Sequence, residues 1–78
     1  MNQMKINVKT GKWAARFIAE PEVVIDIPES STVADVVAVL NIPADEAGLT
    51  VINGVSVNKD YILSDDDSLI IHPIIIGG

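Results

Sequence analysis

The sequence predicts a small α+β domain with one helix packed on one face of a sheet. Three features carry that expectation. An alternating strand opens the chain, a stripe of valine and leucine recurs at helical spacing near its middle, and an Asn-Gly pair separates two β-rich runs.

In "MKINVK", Met4, Ile6 and Val8 fall on one side and Lys5, Asn7 and Lys9 on the other, as in a half-buried strand of period two. "TGKW" reads as a turn, with Gly11 free to take a positive φ. "EVVIDIP" is a second strand with Val23, Ile25 and Ile27 on one face and Asp26 outward, stopped by Pro28. The stretch between, "WAARFIAEP", has no clear period; a backward extension of the second strand and a short helical turn both fit.

"SSTVADVVAVLN" is the helix. Val33, Val36, Val37 and Leu40 stand at i, i+3, i+4 and i+7 on one face. Ser31 or Thr32 can cap its start, and Asp35 in the first turn opposes the positive helix end. Valine forms helices poorly, so this one depends on packing its stripe against a sheet. Asn41 and Pro43 stop it. "LTVINGVSV" is a hairpin about Asn53-Gly54, where a type I′ turn needs two positive φ angles. "YILSDDD" is a polar connection with Ile62 and Leu63 as anchors. "SLIIHPIII" is the last strand, with Leu69 and Ile71 facing the core and Ile70 and His72 facing outward. Regular pairing should fail near Pro73, which has no N–H to donate.

Composition narrows the function. A chain of 78 residues is one small domain, and with 49% apolar residues but a single Trp, Tyr and Phe its core must be aliphatic. The net charge of −6 argues against nucleic acid as a partner, which would need clustered Lys and Arg. An acidic protein is steered toward a basic surface on its partner. There is no cysteine, hence no disulfide, thiolate metal site or cysteine nucleophile. "MNQMKIN" lacks the pattern of a signal peptide, and no stretch has the length to span a membrane, so a cytoplasmic protein is expected.

The β-β-α-β-β order, the "VING" hairpin at Val51 to Gly54, the acidic "SDDD" before the last strand and the Gly-Gly ending together resemble the β-grasp sulfur carriers. These are the thiamine-biosynthesis sulfur carrier and the small subunit of molybdopterin synthase, relatives of ubiquitin. The resemblance covers nearly the whole chain. It implies a β-grasp domain over residues 1–73, with a four- to five-stranded mixed sheet and one main helix, and a flexible tail over 74–78. It implies that Gly78, preceded by Gly77, is the activated residue. A ubiquitin-activating-type enzyme using ATP and Mg would adenylate it, a sulfur donor protein would supply sulfur, and an acceptor synthase would consume it in thiamine, molybdopterin or tRNA thiolation. The chain itself would be no enzyme and would bind no cofactor. Asp66 stands where the family often has glycine.

The ending makes chemical sense apart from the family. A carboxylate is a poor electrophile until ATP converts it to an acyl-adenylate, and this chain has no phosphate-binding loop of its own. Two glycines make a thin, adaptable tip for a partner's nucleotide pocket. Ile74, Ile75 and Ile76 can lie in an apolar groove of that partner. Burying one such side chain yields about 1.5–3 kcal/mol, against a backbone ordering cost of about 1–2 kcal/mol per residue. Two other readings stay open: a ubiquitin-like modifier joined through Gly78 to lysines of other proteins, and a β-grasp binding module that is never activated.

The remaining features have plain readings. Ile70, near the tail on the outer sheet face, and His72 beside it are candidate partner contacts, and His72 has no expected catalytic or metal role. Asp65 to Asp67 lack the ligand spacing of a calcium loop and read as a solvated turn. Trp13 and Phe17 read as packing residues of a core short of aromatics.

Overall fold

The computed structural model describes residues 2–74. Its elements are β1 (Gln3–Lys9), a 3₁₀ turn (Lys12–Ala14), β2 (Glu22–Pro28), α1 (Val33–Val39), β3 (Ala47–Ile52), β4 (Val55–Val57) and β5 (Ser68–Pro73). The five strands form one mixed sheet in the order β2-β1-β5-β3-β4, with β1 and β5 parallel and every other pairing antiparallel. This is the expected α+β arrangement, a ubiquitin-like β-grasp with the full five strands.

The register places the apolar rows together. Met4, Ile6 and Val8 pair with Ile27, Ile25 and Val23 across β1 and β2. Val8 then pairs with Leu69, and Leu69 with Ile52. Onto that face α1 lays Val33, Val36 and Val37, all buried, and Leu40 and Ile42 close the far end. Trp13 and Phe17 pack against the margin of this aliphatic core. The segment without a clear period is the 3₁₀ turn followed by irregular chain, and Gly11 before it has φ 103°. Trp13 Nε1 donates to the Thr10 carbonyl at 2.7 Å, so its polar edge is satisfied while its ring packs.

The helix is short and held from outside. Thr32 and Asp35 form a capping box: the Thr32 hydroxyl accepts the Asp35 N–H, and the Asp35 carboxylate accepts the Thr32 N–H. The next two amides, Val33 and Ala34, donate to the carbonyls of Tyr61 and Lys59. First-turn donors with no partner inside the helix are thus satisfied by the segment after β4. Thr32→Ala should cost about 1 kcal/mol, read as a lower denaturant midpoint at unchanged slope. Asn41, at φ 60°, terminates the helix in the left-handed conformation.

One anchor differs from expectation. Leu63 is buried, but Ile62 is 60% exposed. Ile62 bridges Thr32 through its backbone, and the alternation of an extended segment then sends Leu63 inward and Ile62 outward. The hairpin turn is as expected, with Asn53 and Gly54 at φ 49° and 83°.

The acidic loop proves to be a backbone-satisfying turn. Asp65 Oδ1 accepts the Lys5 N–H and Asp67 Oδ2 accepts the Ser64 N–H, each at 2.8 Å. Asp66 sits at φ 67°, the conformation that glycine adopts without steric cost. Aspartate tolerates it better than most residues do. Asp66→Gly should therefore leave the urea midpoint unchanged or raise it by up to about 1 kcal/mol of stability, whereas Asp66→Val should lower it.

Candidate functional site

β5 is the middle strand of the sheet and the last described element of the chain. Leu69 and Ile71 are fully buried, while His72 is exposed and Ile70 half-buried on the opposite face. Ile70 pairs with Lys9 of β1 on one side and with Val51 of β3 on the other, and Val51 pairs with Ser56 of β4. The exposed Leu49 lies two residues before Val51, hence on the same face. The outer face beside the chain's exit is therefore an apolar strip of Leu49, Val51 and Ile70, bordered by Lys9 and His72. The sequence places Ile70 and His72 there, and the structure keeps them together.

Pairing becomes irregular at the exit. Thr50 opposes Ile71 and Ala47 opposes Pro73, so two residues of β3, Gly48 and Leu49, face one residue of β5, His72. This is a β-bulge, which bends the strand locally before pairing resumes at Ala47 and Pro73. Gly48 is there because nothing larger fits: a Cβ on it would lie 2.6 Å from the Pro73 carbonyl oxygen and 2.9 Å from the Ile74 nitrogen. Its own carbonyl accepts the Lys59 ammonium at 2.8 Å.

Ile74, the last described residue, is 46% exposed, but its amide donates to the Glu46 carbonyl at 3.2 Å. The Glu46 carboxylate pairs with Arg16, whose guanidinium lies 4.9 Å from the Phe17 ring centre. Trp13, Asp45, Glu46, Pro73 and Ile74 line an open groove of about 240 Å³ along the exit. Sequence reasoning missed Gly48, Glu46, Arg16 and Lys59. One signal was legible, since a glycine inside a strand marks a bulge or a close backbone approach. The expected tail contacts Ile75 and Ile76, and the expected activated residues Gly77 and Gly78, lie outside the described residues, as does most of the expected 74–78 tail.

Among the described residues no group of three or more His, Asp or Glu side chains could hold a metal ion. No buried side-chain nitrogen or oxygen among them lacks a partner. No described helix is long and apolar enough to cross a membrane. What the site offers is the end of β5, flanked by an apolar strip on the outer sheet face and by a groove at Pro73 and Ile74.

The sequence profile of the Mut7-C ubiquitin family matches residues 15–76. No curated protein matches the chain significantly. Several solved structures share the fold. The HVO 2177 protein of Haloferax volcanii superposes with a TM-score of 0.80 at 15% identity, over 97% of this chain and 88% of that one. A candidate molybdopterin converting factor subunit 1 from Pyrococcus furiosus gives 0.73 at 20% identity, over 92% and 99%. Small archaeal modifier protein 1 of Haloferax volcanii gives 0.74 at 15% identity, over 92% and 99%. The resemblance to β-grasp carriers that the sequence suggests is thus met by the fold.

Proposed function

The chain belongs to the Mut7-C ubiquitin family, and we propose that it is a sulfur carrier activated at Gly78. A partner enzyme of the ubiquitin-activating type, using ATP and Mg, joins the Gly78 carboxylate to AMP and releases pyrophosphate. A hydrosulfide equivalent from a sulfur donor protein then attacks the acyl carbon. The bond to AMP breaks, AMP leaves, and a thiocarboxylate remains at Gly78. On an acceptor synthase the sulfur bonds to the acceptor, and water then cleaves the acyl–sulfur bond, leaving the sulfur on the acceptor and restoring the carboxylate at Gly78. The protein is the co-substrate in each step, either free or as the small subunit of a synthase. Cofactor thiolation, as in thiamine or molybdopterin synthesis, and tRNA thiolation both fit this chemistry.

One observation carries the reading. The central strand of the sheet ends beside an apolar strip, its last described tie is at Ile74, and Ile-Ile-Gly-Gly follows that tie in the sequence. Leu49, Val51 and Ile70 are suited to docking on the activating enzyme, which would place the tail at the enzyme's nucleotide pocket. Burying one such side chain fully yields about 1.5–3 kcal/mol. The three isoleucines at 74–76 would add contacts along the channel. The names of two similar structures, a molybdopterin converting factor subunit and a small archaeal modifier, accord with an activated terminus.

ATP–pyrophosphate exchange tests the proposal. The protein, untagged at its C-terminus, is mixed with ubiquitin-activating-type enzymes from the same host. Exchange that depends on the protein is the expected result. No exchange with any of them would favour a β-grasp binding module. Exchange followed by higher-mass conjugates in a denaturing gel, with no thiocarboxylate, would favour a protein modifier.

A further inference from the structure

We propose that the β3 bulge is a positioning device for activation: Gly48, with Glu46 and Lys59, sets the direction in which the chain leaves β5. The inference rests on the activation reading above. Its basis is three ties that converge within a few residues of the exit. The Ile74 amide is bonded to the Glu46 carbonyl. The Gly48 backbone sits so close to Pro73 that a single methyl group would collide with the carbonyl carbon at 2.8 Å. The Lys59 ammonium holds the Gly48 carbonyl, and the Lys59 carbonyl in turn accepts the Ala34 amide at the start of α1. Glu46 is held from the other side by Arg16.

An ordinary strand end needs none of this. Pairing resumes past the bulge, with Ala47 opposite Pro73 and the Ile74 amide on the Glu46 carbonyl, whereas a chain with no further task could leave at any angle. Here the exit is fixed against the helix start through Lys59 and against the 3₁₀ region through Arg16. Lys59 is also the only cation in the second half of the chain. It is half-buried and lines, with Ala34, Val37, Ala38 and Ile42, an apolar cavity of about 350 Å³. A fixed exit matters because only four residues separate Ile74 from the Gly78 carboxylate. A short tether samples only the space its root allows, so a shifted exit lowers how often the carboxylate reaches its reactive position, where displacement by about 1 Å can cost about 10²-fold in rate. The members of this clamp are positioning residues, since none reaches the reacting atoms.

The test compares Gly48→Ala and Lys59→Met with the unmodified full chain in AMP transfer by the activating enzyme. Hydrogen exchange at the Ile74 amide is followed in parallel by NMR. Gly48→Ala should lower kcat by about 10- to 100-fold, with a smaller rise in KM because Leu49 of the docking strip shares the bulge and shifts with it. Lys59→Met should act in the same direction and more weakly. Ile74 exchange should accelerate in both. A structural role alone would lower stability and leave the kcat of the folded fraction unchanged, and that result would overturn the inference. Should Gly48→Ala fail to fold, Lys59→Met decides, because it keeps the stem and removes only the ammonium. No AMP transfer to the unmodified chain would sink the activation reading and this inference together. Transfer to it with the same kcat for the folded variants would sink the inference alone.

Discussion

Removal of Gly78 is expected to abolish AMP transfer to the protein while leaving its thermal unfolding midpoint unchanged. The two halves of this result have separate physical origins. The strands, the helix and the described core all lie within residues 2–74, and Gly78 has no side chain to contribute to an apolar core. Loss of Gly78 moves the terminal carboxylate back by one residue, about 3.3–3.6 Å of extended chain. In-line attack on ATP needs the reacting atoms about 3–3.5 Å apart, so the retracted carboxylate falls out of reach. It would also replace a thin tip by the other glycine with an isoleucine next to it, which meets the channel one position too early. Thermal melts and radiolabelled AMP transfer on the same preparation separate the two effects. Full AMP transfer to the shortened chain would refute the assignment of Gly78.

Leu69→Ala should have the largest effect on stability. Leu69 is fully buried in the middle strand and is paired to Val8 on one side and Ile52 on the other, so the cavity would open at the centre of the sheet. Leucine-to-alanine changes at such sites cost about 2–5 kcal/mol. A domain of this size is stable by about 4–12 kcal/mol in all, and each kcal/mol moves its midpoint by about 4–8 °C. A fall of about 10–30 °C in the melting midpoint is expected. Ile70→Ala, one residue on, should fall well short of that, since Ile70 faces outward. Similar losses for the two would contradict the face assignment of β5.

Local signals were legible in the sequence wherever one period or one turn type dominated. Met4, Ile6 and Val8 alternate without interruption, and they line the core as a row. Val33, Val36 and Val37 share a helical stripe, and Asn53-Gly54 admits essentially one tight hairpin. The placement of β5 between β1 and β3 was not legible from these signals, because a parallel pairing between the first and last strands has no local mark. The resemblance supplied a mixed sheet but not this strand order. Ile62 misled because two adjacent apolar residues in extended chain cannot both face one side, and the bridge to Thr32 chose Leu63. The stretch after Gly11 was open because a 3₁₀ turn and irregular chain leave no period. At the candidate site, Ile70 and His72 were readable from alternation. The clamp was not, because it joins Glu46, Gly48, Lys59 and Ile74 mainly through main-chain atoms, and main-chain contacts leave little trace in side-chain pattern.

The central claim is that sulfur is carried on the Gly78 carboxyl group. The most direct measurement is the intact mass of the protein isolated from its own host without a C-terminal tag, with the terminal peptide fragmented. Isolation under conditions that suppress thiocarboxylate hydrolysis should reveal a species in which one oxygen is exchanged for sulfur, localised to Gly78. A chain ending at Gly78 as the plain carboxylate under those conditions, together with no AMP transfer from any activating enzyme of the host, would contradict the account.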